Sequence, residues 1–136
     1  MSHRSEVIAH YAAYLDACSR HAWEEILPFV ADTVVVNGVE QSRSEYVAGI
    51  RRTVEVFPDY RWTLRRALVD GQWLAVHLTT TGTRLGDFLG APGDRSRVAT
   101  EEFDMYRIVD GVIHEVYGTA DNARLRRVEP PGSAPT

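Results

Sequence analysis

The chain has 136 residues, a formal net charge of −4 and 15 basic side chains, every one of them arginine. With no lysine, no side-chain imine can form and no P-loop lysine exists, which excludes pyridoxal-type carbonyl chemistry and a Walker nucleotide site. A single cysteine, Cys18, excludes an internal disulfide and a multi-cysteine metal site, and the acidic balance argues against nucleic-acid binding.

One domain is expected over residues 1–128, with a Pro-rich disordered tail at 129–136. Val7, Ile8, Tyr11, Tyr14, Leu15 and Cys18 recur at helical spacing, with Ser2 or Ser5 as cap. A short helix fits Trp23 to Val30, cut or kinked by Pro28. The β-branched run Thr33 to Asn37 reads as a strand ended by Gly38. Ser42 to Val56 is a helix, capped by Ser42 or Ser44 with Glu45 in its first turn.

The second half alternates. Strands are expected over Arg61–Val69, Trp73–Thr83, Arg97–Val109 and Val112–Asp121. Asp70-Gly71 and Asp110-Gly111 mark hairpins, and Gly86 to Asp94 forms a loop. No apolar run reaches the roughly 18 residues of a membrane span, and the N-terminus has no signal-peptide core. A soluble, cytoplasmic protein without membrane contact is the expectation. Helices followed by a strand meander give an α+β class: a cone-shaped, curved antiparallel sheet with N-terminal helices closing a central pocket.

Period two sorts the strand residues into faces. Glu102, Asp104 and Tyr106 share one; His77 lies with Trp73, Ala75, Thr79 and Thr81, opposite Leu74, Val76 and Leu78. The pattern leaves open which face is concave. Polar groups on central strands are costly unless paired or lining a wet cavity, so His77, Asp104 and Asp121 are the first site candidates. Each also has a plain structural reading: Asp121 as a loop cap, Asp104 paired with Arg66 or Arg107, His77 as a hydrogen-bonded core histidine. His3, His10, His21 and His114 lack metal-ligand spacing, so no metal site is expected. No Gly-x-Ser-x-Gly elbow occurs, and the glycines at 82, 86 and 90 do not follow the dinucleotide fingerprint.

Two stretches carry a family resemblance. Residues 74–90, with Gly82-Thr83-x-x-Gly86-x-Phe88-x-Gly90, look like the central strand and loop of SnoaL-like polyketide cyclases. Arg107-Ile108-Val109-Asp110-Gly111-Val112-Ile113-His114-Glu115, through Asp121-Asn122, looks like that family's closing hairpin. Phe29-Val30-Ala31-Asp32 before a strand is similar to the wider superfamily of nuclear transport factor, ketosteroid isomerase and scytalone dehydratase. The resemblance covers roughly residues 5 to 127.

It implies a cofactor-free pocket in which Asp121 is the general base that removes a proton alpha to carbonyls, so that the enolate closes a ring by aldol addition. It also implies that Tyr11 and Asp104 fall where ketosteroid isomerases carry their oxyanion donors. The isomerase base has no match near Val36-Asn37-Gly38. His77 stands where the cyclases commonly have arginine, and Arg84 where they have histidine. The catalytic candidates are therefore Asp121, His77, Asp104 and Tyr11, and the substrate-binding candidates Tyr14, Asn37, Tyr106, Tyr117 and Phe88. The leading function is a cofactor-independent cyclase or isomerase acting on a small hydrophobic, polyketide-like substrate. The alternatives are epoxide opening, dehydration or cofactor-free hydroxylation on the same fold, or a non-catalytic small-molecule binding domain. With the polar set inside, Leu74, Val76, Leu78 and Phe103 form an apolar outer face, from which a homodimer through the sheet is expected.

Overall fold

The computed structural model describes residues 2–87 and 92–118. Helix α1 spans His3–Ser19, and the side chain of Ser2 accepts a hydrogen bond from the Ser5 amide, so Ser2 is the cap. Helix α2 is one turn, Trp23–Ile26, continued as a 3-10 turn over Leu27–Phe29 that contains Pro28. The proline thus shortens the expected helix, and strand β1 already starts at Val30 and runs Val30–Val36.

The Asn37-Gly38 pair, with φ of 48° and 84°, turns the chain back into a short strand β2, Val39–Ser42. Both central residues of such a tight turn need positive φ, which asparagine tolerates and glycine adopts freely. The sequence reading ended a strand at Gly38 and missed this hairpin. Helix α3, Arg43–Val56, is entered through a full capping box: Ser42 accepts from the Glu45 amide, and the Glu45 carboxylate accepts from the Ser42 amide. Strands β3 (Arg61–Asp70), β4 (Trp73–Thr83), β5 (Arg97–Val109) and β6 (Val112–Gly118) follow.

All six strands form one curved sheet in the order β2-β1-β6-β5-β4-β3. Neighbours are antiparallel except β1 and β6, which run parallel, so the sheet is mixed rather than purely antiparallel. Helix α1 lies across the concave face and buries Tyr11, Tyr14, Leu15 and Cys18 there. The core is built on Ile26, Val34, Leu74 and Leu78, each fully buried.

Leu74, Val76 and Leu78 therefore point inward, opposite to the outer face expected for them. The β4–β5 register explains this. Val76 pairs with Asp104 and Leu78 with Glu102, whereas His77 pairs with Phe103 and Ala75 with Met105. Paired residues share a face, so His77 and Asp104 cannot both line one pocket. The outer face instead carries His77 with the exposed Phe103 and Met105. A second departure is a β-bulge in β6. Arg107 pairs with Glu115 but Ile108 with Ile113, leaving His114 as the extra residue. The bulge brings Ile113 and Val116 to the same buried side and sends Tyr117 outward. The end of the last strand at Asp121 and the tail at 129–136 lie outside the described residues.

Candidate active site

A cavity of ≈ 460 Å³ opens between α1, α3 and the concave face of the sheet. Tyr14 and Cys18 reach it from α1, Tyr46, Arg52 and Thr53 from α3, Tyr60 from the turn before β3, Trp62 from β3 itself, Glu102 and Tyr106 from β5, and Asp87 from the segment after β4. The hydroxyls of Tyr14 and Tyr46 are 2.7 Å apart, and the Tyr11 hydroxyl donates to that of Tyr106 at 3.1 Å. Burial holds all of these phenols above their ordinary pKa, and it pushes the Cys18 thiol up as well. They are neutral hydrogen-bonding groups at neutral pH.

The only ionisable carboxyl groups buried among the described residues are Glu102 and Asp104. They stand two residues apart on the same face of β5, and only 9% and 4% of their surface is exposed. Neither oxygen of Asp104 has a hydrogen-bond donor among the described residues other than a protonated Glu102. Desolvation and, after it, the neighbouring Asp104 carboxyl raise the Glu102 pKa to about 9; desolvation also raises that of Asp104. Like charges this close do not both ionise readily, so the two titrate as a pair. Space for Asp104 comes from Gly118: a Cβ there would collide with Asp104 Oδ1 and with the Phe103 carbonyl.

The expected residues divide into three sets. Tyr14 and Tyr106 line the cavity, with Tyr11 and Asp104 directly behind it. His77, Asn37 and Tyr117 do not reach it. His77 stacks on Phe103 with ring centroids 4.7 Å apart, and its nitrogens meet Arg66 and Glu101 on the outer face. Asn37 is exposed, and its side-chain oxygen accepts from the Gly118 amide at 2.9 Å, tying the β1–β2 turn to β6. Tyr117 donates to Glu115, which is also ion-paired with Arg107. Asp121 and Phe88 lie outside the described residues.

Glu102, Tyr46 and Tyr60 were not singled out in the sequence. Glu102 was legible, since it shares a strand face with Asp104 at spacing i, i+2. Tyr46 reads as one more apolar position on α3. No group of three His, Cys, Asp or Glu side chains among the described residues is arranged to hold a metal ion, and no described helix is long and apolar enough to cross a membrane.

A family model described as SnoaL-like polyketide cyclase matches residues 8–127. Among solved structures, a SnoaL-like polyketide cyclase from Agrobacterium tumefaciens is 27% identical with a TM-score of 0.79, over 88% of this chain and 94% of that one. TsrD from Streptomyces laurentii is 22% identical with a TM-score of 0.80, over 92% and 95% of the two chains. AclR from Streptomyces galilaeus, provisionally assigned as a hydroxylase, is 22% identical with a TM-score of 0.77, over 90% and 93%. Among curated proteins, none matches the chain.

Proposed function

Because the chain belongs to the SnoaL-like polyketide cyclase family, we propose that it closes or isomerises a carbonyl-rich, polyketide-like substrate by proton transfer through an enolate. The observation that carries this reading is the cavity itself: ≈ 460 Å³, walled largely by phenols, aromatic rings and aliphatic side chains, with the buried carboxyl of Glu102 in its wall and Arg52 and the exposed Asp87 also lining it. Such a wall suits a flat, uncharged, unsaturated molecule, because rings stack on it and carbonyl oxygens accept from its hydroxyls.

A proton between two carbonyls is already acidic, so a desolvated and well-aimed carboxylate is base enough to remove it. The resulting enolate oxygen needs donors, which buried neutral phenols supply. Without lysine, an imine route is closed. Side-chain acids and bases then suffice for the reaction, with no cofactor. The family resemblance implies Asp121 as the base, and the cavity wall offers Glu102; comparing Asp121→Asn with Glu102→Gln assigns the role.

Incubation with candidate polyketide intermediates, read by mass spectrometry, tests the reaction class. Aldol closure or isomerisation leaves the mass unchanged while retention time shifts. Gain of water or of oxygen identifies hydration or hydroxylation instead and overturns the enolate reading. A base lost by substitution lowers turnover by about 100-fold or more.

A further inference from the structure

Glu102 and Asp104 form an arrangement that a lone catalytic carboxylate does not need. Glu102 lines the cavity, and Asp104 sits next to it on β5, in the space left by Gly118. The titratable groups facing the pair are Tyr11 and Cys18 from α1, Tyr46 from α3, Tyr60 before β3 and Tyr106 on β5 itself, and the cavity that Glu102 lines also has Arg52 of α3 and Asp87 in its wall. The phenols and the thiol are held neutral by burial, and each carboxyl of the pair is shifted by desolvation and by the other. An anionic Asp104 is thus left with one donor only, the proton of Glu102.

We propose that Glu102 is the catalytic residue that both takes the substrate's alpha proton and returns it, while Asp104 is the positioning residue that accepts Glu102's own proton in the same movement. This rests on the reading of the cavity as an enolate-forming site. The balance closes within the pair. The C–H bond breaks, its proton goes to Glu102, and the proton already on Glu102 passes to Asp104. The bonding electrons remain on the substrate as the enolate, so the single negative charge leaves the buried pair for the substrate. The enolate carbon then attacks a second carbonyl carbon, and the π pair of that carbonyl moves to its oxygen. The alkoxide takes a proton back from Glu102, Asp104 returns its proton to Glu102, and the site is reset without solvent.

Two features support a pair over a single base. Desolvation of two neighbouring carboxyls gives the singly protonated pair a greater affinity for a second proton than an exposed carboxylate has. Full protonation of the pair also removes a buried charge at the moment the enolate forms, which favours the forward step.

The test uses deuterium uptake from D₂O into 2-tetralone, an aromatic ketone with acidic alpha protons, followed by mass spectrometry beside turnover of a polyketide intermediate. Wild type is expected to accelerate uptake, with a rate that falls on the alkaline side as Glu102 loses its proton, and Glu102→Gln to lose about 100-fold of that rate. Asp104→Asn is expected to lose most of the rate at neutral pH and to regain it as pH rises, because without Asp104 to accept its proton Glu102 can act only once ionised; a purely structural Asp104 would change the amplitude and keep the alkaline fall. Glu102→Gln exchanging as fast as wild type overturns the pair, even where cyclisation by another group persists. Exchange that depends on Glu102, with hydration or oxygenation as the turnover, sinks the cyclase reading and leaves the pair standing. No exchange by folded wild type removes the pair. Circular dichroism on each variant confirms that the loss is not unfolding.

Discussion

Gly118 shows how one missing side chain makes room for chemistry. A Cβ there would strike Asp104 Oδ1, the end of a buried side chain, and also backbone atoms of Phe103 and Asp104, which cannot swing aside. Gly118→Ala should therefore destabilise the protein by about 1–3 kcal/mol, the scale of overpacking, measurable by urea denaturation. It should also change the ionisation of the pair, because Asp104 has nowhere else to go. At this scale the sequence was half legible. Tyr14 and Tyr106 line one cavity with Tyr11 and Asp104 behind it; of these, the strand pattern pointed to Asp104 and the family resemblance to Tyr11 and Asp104. His77, Asn37 and Tyr117 are polar for other reasons: each satisfies a partner on the outer face or at a turn. A sequence lists which side chains carry chemistry, but only the pairing of strands decides which side of the sheet they occupy.

At the scale of elements, boundaries followed capping and turn chemistry closely. Ser42 closes a reciprocal box with Glu45, so Ser42→Ala should cost about 1 kcal/mol, read as a lower denaturation midpoint with an unchanged slope. Because α3 carries Tyr46 and Thr53 to the cavity, the same change should loosen ligand binding there. What stayed hidden were the irregularities. The bulge at His114 breaks the period-two rule within β6, and a second register shift lies between Leu64 and Arg66 in β3. One extra residue reverses the face of everything beyond it, and nothing local in Ile113-His114-Glu115 announces it. The Asn37-Gly38 turn, in contrast, was a strong hairpin signal. The strand it leads into, β2, is four residues long with no buried position, so no hydrophobic alternation marks it in the sequence.

For the whole molecule, the buried carboxyl pair sets how stability responds to pH. Glu102 holds its proton in the folded state to a pH well above the ordinary carboxylate range, near pH 4. Its contribution is complete below that range and is lost as pH rises through the folded value, because the native state binds more protons than the unfolded one. Thermal midpoints should accordingly fall from about pH 5 into the alkaline range, and Glu102→Gln should flatten that decline. A wild-type midpoint independent of pH over this interval would count against a buried protonated pair.

The parallel joint between β1 and β6 has a consequence for how the chain is made. β1 and β2 are synthesised early, yet the strand that covers β1 is the last one in the sheet, with Val30 paired to Ile113. Until β6 emerges, the β1–β2 hairpin has an open edge along β1 and is not joined to the rest of the sheet. Such long-range closure is slow, and an uncovered strand edge invites pairing with other chains. The nascent protein is thus most prone to aggregate just before β6 arrives, and the cavity, otherwise walled by earlier elements, gains its last wall residue, Val116, when that strand docks.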